Sequence, residues 1–162
     1  ARAARANADA VEAYRRYGFF ESAPLTAAYA LAEWADSEFL ADPTNPQRAL
    51  QILDEALRIA PQGQNGDTFR RLHTAELKTT YLLAGGREDD ARTILRSYDA
   101  RADAHELDRR IAALYTDVGT RVIRRPIWDL PEALSTWSER ALELDPGNAD
   151  ATKALKRLQL QP

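Results

Sequence analysis

Residues 49–61 read ALQILDEALRIAP, and this stretch decides the fold of the chain. Its apolar side chains recur every three or four positions and therefore predict one continuous face of a helix, formed by Ala49, Leu50, Leu53, Ala56, Leu57 and Ala60. Ala49 and Ala56 lie two turns apart, so a neighbouring helix is expected to approach closely there, with Leu53 between them. Pro61 cannot continue the helix and ends it.

Helix signals of the same kind extend over the whole chain. Only 7 Gly and 8 Pro occur among the 162 residues, and most of them lie between apolar periodic segments. The best β-branched run, at residues 121–123, is short. We therefore predict an all-α chain forming a single domain over residues 1–162. Its predicted elements are an N-terminal helix over 1–21, helix pairs over about 24–60, 68–98 and 103–144, and a last helix over 149–158.

Several local features are predicted within these helices. The first helix is expected to bury a face made of Ala6, Ala10, Ala13, Tyr14 and Tyr17. Ser22 is a plausible cap for the helix that has Pro24 in its first turn, and Asp67 or Thr68 caps the helix that extends to Ala84. Residues 85–86 and 145–148 are predicted to end helices as turns.

Composition and charge exclude several classes of function. The 22 basic and 25 acidic residues are interspersed and give a net charge of −3, which offers no general attraction to nucleic acid or to an anionic membrane. No apolar run approaches the roughly 18–20 residues needed to cross a bilayer, so no membrane insertion is predicted. The absence of Cys excludes thiol catalysis, disulfides and cysteine–metal sites.

The chain contains no Met, even at its first position, so we expect a processed product or a segment of a longer protein. Its many Ala, Arg and Asp residues suggest a bacterium with a GC-rich genome. A start at Ala suits cleavage after a small-residue motif, which favours the periplasm or cell envelope over the cytoplasm.

A repeat underlies the three helix pairs. Their second helices begin at Ala49, Ala91 and Ala133, about 42 residues apart. The segment that ends at Pro61 carries a small, a large and a second small residue before the proline, and in this it resembles the second helix of a tetratricopeptide repeat. The second helix of the third pair ends in ALELDP, at residues 141–146, which resembles the commonest ending of that family. The third pair also resembles the first-helix signature of that family, through Tyr115, Val118, Gly119 and Val122. The middle pair keeps part of the pattern, in Tyr81, Gly86, Ala91 and Leu95.

The resemblance implies a TPR-like α-solenoid of stacked antiparallel helical hairpins. The polar face of the last helix, with Lys153, Lys156 and Arg157, suits a cap on such a stack. The spacing of about 42 residues departs from the family period of about 34, and the first helices have no Trp in the expected register. A compact helical bundle predicts the same helices and stays open as an alternative.

The function implied by the resemblance is a protein–protein interaction scaffold or assembly subunit that binds a protein or peptide partner in a helical groove. One alternative is a helical subunit permanently integrated in a larger complex. A ligand-binding or enzymatic solenoid is a further alternative with little support from individual residues.

No catalytic residue, metal or cofactor site is predicted. His105 and Glu106 match the start of a zinc-protease motif, but Arg109 stands where the second His is needed. Residues 85–88 lack the Lys-Ser/Thr of a phosphate loop, and residues 145–150 lack the closing Glu of a calcium loop.

Candidate partner-binding residues come from the first helix of each pair, which lines the concave side of a solenoid. Polar residues at steps of three and four share a face of the second and third of these helices, and Trp34 on the first helix supplies an apolar anchor. The predicted surface consists of Trp34, His73, Glu76, Thr80, Thr116, Thr120 and Arg124.

Two of these predictions have open alternatives. The arginines at 109, 110, 121, 124 and 125 form either a solvated face paired with nearby acids or a docking surface for an acidic peptide. Trp34 is either an exposed anchor or a second contact face toward the preceding helix.

Overall fold

The structure is a computed structural model that describes residues 2–123 and 131–159. Within these ranges every regular element is helical and no strand occurs, which confirms the prediction of an all-α chain. The helices are α1 (Arg2–Arg16), α2 (Phe19–Ser22), α3 (Pro24–Ala41), α4 (Gln47–Ile59), α5 (Gln64–Leu72), a wide-turned π segment (His73–Lys78), α6 (Thr79–Ala84), α7 (Glu88–Tyr98), α8 (Ala104–Ile123), α9 (Pro131–Leu144) and α10 (Ala149–Gln159).

The N-terminal helix is broken where a single helix is predicted over 1–21. Gly18 takes a positive φ of 71°, which suits glycine, and separates α1 from the short α2. The buried face of α1 is built on Ala4 and Val11, whereas Tyr17 is 75% exposed. The predicted apolar face was therefore wrong by part of a turn.

Helix α3 is central to the N-terminal half because it packs against α1 on one side and α4 on the other. Pro24 occupies its first turn, where a missing N–H costs no helical hydrogen bond. Ser22 does not cap it, because the Ser22 hydroxyl lies near the Gly18 carbonyl oxygen, 3.2 Å away. The side chains of α3 are buried on two faces, and the buried set is Ala27, Ala28, Leu31, Ala32, Ala35 and Phe39.

Helix α4 ends two residues before Pro61, with Ala60 in an extended conformation that suits a residue before proline. The predicted face is largely buried, since only Leu57 of its members is half-buried. Ile52 is buried as well, so the apolar face is wider than predicted. The buried residues of the segment are Ala49, Leu50, Ile52, Leu53, Ala56 and Ala60.

The next helix begins at Gln64, three residues before the predicted cap at Asp67. A Cβ atom on Gly66 would lie 1.8 Å from the Pro61 carbonyl oxygen, so only glycine permits this first turn to pack against the preceding loop. Asp67 lies inside the helix and forms an ion pair with Arg70 at 2.5 Å. The helix continues through the π segment to Ala84.

Helix α6 ends at the predicted glycines. Gly86 has a φ of 74°, and the N–H groups of Gly86 and Arg87 donate to the carbonyl oxygens of Leu83 and Leu82, at 3.0 and 2.8 Å. This pattern is a Schellman motif. Gly85 lies against Pro46, since a Cβ atom there would come within 2.9 Å of the proline ring.

The C-terminal half contains the long helix α8, which packs against α6, α7 and α9, and α10, which packs against α9. Asp103 caps α8 by accepting a hydrogen bond from the Glu106 N–H at 2.8 Å. Asn148 caps α10 in the same way, through the Ala151 N–H at 3.0 Å. None of the helices in the described ranges has the length and apolar character required to span a membrane.

Candidate functional site

A cleft of about 400 Å³ opens between α1, α3, the π segment and the C-terminal part of α8. We refer to it as the central cleft. It joins residues that are far apart in sequence, and its walls combine aromatic, hydroxyl, amide and charged groups. The lining residues are Asn7, Tyr29, Ala32, Glu33, Asp36, Ser37, His73, Leu77 and Arg121.

One wall of the cleft is a hydrogen-bonded contact between α1 and α3. The Asn7 Nδ2 group donates to Ser37 Oγ at 2.7 Å and to the Glu33 carbonyl oxygen at 3.4 Å. The Ser37 hydroxyl donates to the same carbonyl oxygen at 3.0 Å. Asn7 is thus held in one orientation, and the Glu33 side chain lies at the exposed edge of the wall.

At the floor of the cleft, the Asp36 carboxylate of α3 accepts hydrogen bonds from side chains of two other helices. Asp36 Oδ1 accepts hydrogen bonds from the Tyr81 hydroxyl and from Arg121 Nη1, both at 3.1 Å. Arg121 also donates from Nε to Asp117 at 2.9 Å. Burial, and next the negative charge of Asp36, raise the pKa of the Tyr81 phenol well above its ordinary value, so Tyr81 remains the donor.

The Arg121 guanidinium keeps its charge in this half-buried position. Burial lowers its pKa, but the hydrogen bond to Asp117 and the charges of Asp117 and Asp36 outweigh that effect and leave the pKa raised. Arg121 therefore acts as a fixed positive charge between two carboxylates, and it ties α8 to α3.

The opposite wall is an aromatic corner formed by three rings. His73 stacks on Phe69 with centroids 3.9 Å apart, and Tyr29 meets both rings edge to face at 4.9 and 5.7 Å. His73 Nδ1 lies 2.9 Å from the Phe69 carbonyl oxygen, which can only accept a hydrogen bond. Nδ1 must therefore carry a proton, and in the neutral ring Nε2 is an acceptor.

The predicted residues His73, Glu76 and Thr80 do not share one surface. His73 lines the cleft and Glu76 is exposed, but Thr80 is buried and donates to the Glu76 carbonyl oxygen at 2.7 Å. The π segment explains the difference, because its wider turn adds a residue and rotates later positions relative to α-helical spacing.

Trp34 lies outside the cleft, between α3 and α4. Its Nε1 group donates to Glu38 at 2.9 Å, and the Arg48 guanidinium lies 5.4 Å from its ring centroid. The side chain is half-buried, so it is a contact between helices. The ring contact with Arg48 is made with the following helix, α4.

Thr116 and Thr120 lie in a second groove, of about 250 Å³, between α8 and α10. Thr120 donates to the Thr116 carbonyl oxygen at 3.0 Å, and Thr116 donates to the Ala112 carbonyl oxygen at 3.1 Å. The structure thus separates these residues from His73. Arg124 and Arg125 lie outside the described residues.

Among the members of the predicted arginine group that the structure describes, Arg110 and Arg121 pair with acids. Arg110 contacts Asp99 at 3.5 Å, and Arg121 contacts Asp117 and Asp36. Within residues 2–123 and 131–159, no group of three or more His, Asp or Glu residues is placed to hold a metal ion.

The sequence analysis did not identify Asn7, Tyr29, Glu33, Ser37 or Asp36 as site residues. Glu33 and Ser37 are spaced i and i+4, which is a usable sign of a shared face. Nothing local in the sequence marks the pairing of Asp36 with Arg121, 85 residues away.

No protein-family model, curated protein sequence or solved structure matches this chain.

Proposed function

We propose that the chain is a TPR-like helical scaffold whose central cleft binds a peptide segment of a partner protein. The observation that carries the proposal is the cleft itself: an open space of about 400 Å³ with aromatic and hydrogen-bonding walls contributed by four separate elements. Ligand sites commonly combine apolar surface with a few placed polar groups in a concavity of this size.

The packing of small residues supports the solenoid part of the proposal. Ala49 and Ala91, in the first turns of successive second helices of the repeat, are 1% and 0% exposed, and Ala133 at the third matching position is half-buried. Ala56 and Ala141, the small residues near the ends of the second helices, are both fully buried. Close helix contact at matching positions is what a stack of helical hairpins requires. We assign α10 the role of the cap on this stack.

A binding experiment tests the peptide-binding role. A phage-displayed library of random dodecapeptides is selected on the immobilised protein, and the enriched peptides are measured by fluorescence polarisation. Tyr29→Ala removes a ring that lines the cleft and is 45% exposed. We expect this change to weaken peptide binding by tenfold or more, about 1.4 kcal/mol.

Tyr98→Ala is the matched control, because Tyr98 is 43% exposed and lies at the end of α7, away from the cleft. Circular dichroism establishes that both variants keep their helicity. The proposal is wrong if no peptide is enriched, or if the peptides bind the Tyr29 and Tyr98 variants equally well.

A second candidate, a subunit held permanently in a larger complex, is favoured by one observation. Tyr17 and Phe19 are 75% and 45% exposed at the turn between α1 and α2, where Tyr14 packs edge to face on Phe19. Exposed aromatic groups of this kind are typical of interface anchors. Affinity purification in high salt tests it: a partner that resists 1 M salt and is lost on Tyr17→Ser with Phe19→Ser supports the subunit role.

A further inference from the structure

The central cleft presents hydrogen-bond acceptors on three of its lining residues. Both N–H groups of the Asn7 amide are used within the protein, which leaves its Oδ1 as an acceptor. His73 Nδ1 donates to the Phe69 carbonyl oxygen, which leaves Nε2 as an acceptor. The Glu33 carboxylate at the rim adds two acceptor oxygens. A ligand with several N–H donors would fit these groups.

The charged groups that line the cleft favour a cationic ligand. Asp36 and Asp117 share the single guanidinium of Arg121, and Glu33 stands on the same side of α3 as Asp36 in the cleft lining. Two carboxylates, of Glu33 and Asp36, and one guanidinium therefore line the cleft, and Asp117 outside the lining also pairs with that guanidinium, so the lining has an excess of negative charge. A cation in the cleft would offset that excess, and its attraction is stronger here than at an open surface because the walls displace water.

The aromatic corner supplies the third part of the argument. Tyr29 and His73 both line the cleft, and their rings meet at 74° with their centroids 5.7 Å apart. A planar cation can stack on one ring while its N–H groups point toward carboxylate and carbonyl acceptors. Arginine combines these properties, since its guanidinium is flat, carries five N–H donors and stacks on aromatic faces more readily than an ammonium group.

We infer that the central cleft recognises an arginine side chain of the partner peptide. This inference rests on the proposed function and adds the chemical class of the residue that is bound. Asp36 Oδ2, Glu33 and Asn7 Oδ1 provide the acceptors, and Tyr29 and His73 provide the stacking surface. The inference is opposite in sign to an acidic-peptide surface on the arginines of α8, because Arg121 is already neutralised by its two carboxylates.

A nuclear magnetic resonance titration tests the inference without knowledge of the natural partner. The probe is N-acetyl-arginine N-methylamide, and N-acetyl-glutamate and N-acetyl-lysine N-methylamides are the comparison compounds. Backbone amide shifts of the uniformly ¹⁵N-labelled protein are followed. We expect the arginine probe to shift the amides of residues 29–37 and 73–77 in a saturable way, and the glutamate probe to leave them unchanged.

Two variants with the same change in net charge separate local recognition from general attraction. Glu33→Gln removes a carboxylate from the cleft, and we expect at least threefold weaker binding of the arginine probe. Glu12→Gln removes a carboxylate that is 61% exposed, pairs with Arg16 and does not line the cleft, so binding should be unchanged.

The outcomes distinguish this inference from the proposed function. Any of three results would overturn the arginine assignment: the amides of the cleft show no shift, the glutamate or lysine probe binds as strongly as the arginine probe, or both variants weaken binding equally. In each of those cases, enriched peptides that lack arginine and still depend on Tyr29 would leave the peptide-binding role standing. If instead the enriched peptides carry arginine at a fixed position, and this preference is lost when the Glu33→Gln variant is used for selection, both the inference and the proposed function are supported.

Discussion

Replacing Glu88 by Gln should destabilise the protein, because this carboxylate joins three helices. Glu88 begins α7 and accepts hydrogen bonds from Arg140 of α9 at 2.9 and 3.0 Å, from Arg92 at 2.9 Å and from the Tyr115 hydroxyl of α8 at 3.1 Å. Its side chain is only 17% exposed. The amide of Gln has no charge and cannot accept all of these donors, so several N–H groups would lose their partner.

The pKa of Glu88 sets the magnitude of the loss. The hydrogen bond from Arg140, opposed by burial and assisted by Arg92, lowers that pKa from 4.5 to about 2. At 1.36 kcal/mol for each pKa unit, this corresponds to at most about 3 kcal/mol of folding free energy. Arg140 is 41% exposed, so solvent screening reduces the figure, and we expect a loss of about 1–3 kcal/mol at pH 7.

The sign of the pH dependence follows from the lowered pKa. A carboxylate with a depressed folded-state pKa stabilises the fold above its unfolded-state pKa, near 4.5, and this contribution is lost as the pH falls toward 2. The Gln variant does not titrate at this position. Its deficit relative to the parent should therefore be largest at neutral pH and should narrow between pH 4.5 and pH 2.

Thermal unfolding followed by circular dichroism at pH 7, 4.5 and 3 measures both effects. In a chain of this length a loss of 1 kcal/mol lowers the melting temperature by about 2–4 °C. Glu143→Gln is the control, since Glu143 also binds Arg140, at 2.7 Å, but is 64% exposed, and we expect a change below about 0.5 kcal/mol. Equal melting temperatures for the two variants at pH 7, or a deficit that persists unchanged at pH 3, would refute the argument.

Three further predictions concern packing, the last helix and a turn. Ala56→Phe should lower stability by about 1–3 kcal/mol, because Ala56 is fully buried where helices meet, and a melting curve that does not move would contradict close approach there. Deletion of residues 149–162 should cause aggregation or a lower melting temperature, measured by light scattering and circular dichroism, because it uncovers the face of α9 against which α10 packs. Gly86→Ala should cost roughly 1 kcal/mol in urea unfolding, because φ is 74°, whereas Gly147→Ala, where φ is not positive, should change stability by less than about 0.5 kcal/mol.

The helix bounds could be predicted because their signals are local. Pro24 begins α3, Gly85 and Gly86 end α6, and the turn at residues 145–148 separates α9 from α10, each through the conformational preference of a few residues. Such preferences depend only on neighbouring residues, so they can be predicted from the sequence. The helix that begins at Gln64 shows the limit, because its start depends on the contact of Gly66 with the Pro61 carbonyl oxygen.

The orientation of α1 could not be predicted by the same means. This helix is rich in Ala and Arg, and alanines occur on every side of it, so the apolar pattern does not single out one face. Contact with α3 decides the orientation: Val11 is 1% exposed, and Asn7 is fixed by Ser37. Tyr17, one of the two tyrosines of the predicted face, consequently lies in solvent.

The π segment explains both why the predicted polar face of His73, Glu76 and Thr80 does not form and why His73 lies in the cleft. With α-helical spacing, positions 73, 76 and 80 would share one face. The wider turn instead directs Thr79 and Thr80 into the core, where their hydroxyls donate to the carbonyl oxygens of Thr74 and Glu76 at 3.1 and 2.7 Å. The same rearrangement leaves His73 on the preceding turn against Phe69 and Tyr29.

The residues before and after the π segment pack against different parts of α3. Phe69 and Tyr81 are both fully buried, Phe69 against Tyr29 and Tyr81 stacked on Phe39, and the extra residue between them allows both rings to reach α3. Segments with this wide turn occur frequently at functional sites because they free a side chain from the regular packing pattern. His73 stands at the start of this segment and lines the cleft, while Phe69 and Tyr81 on either side of it fill the core.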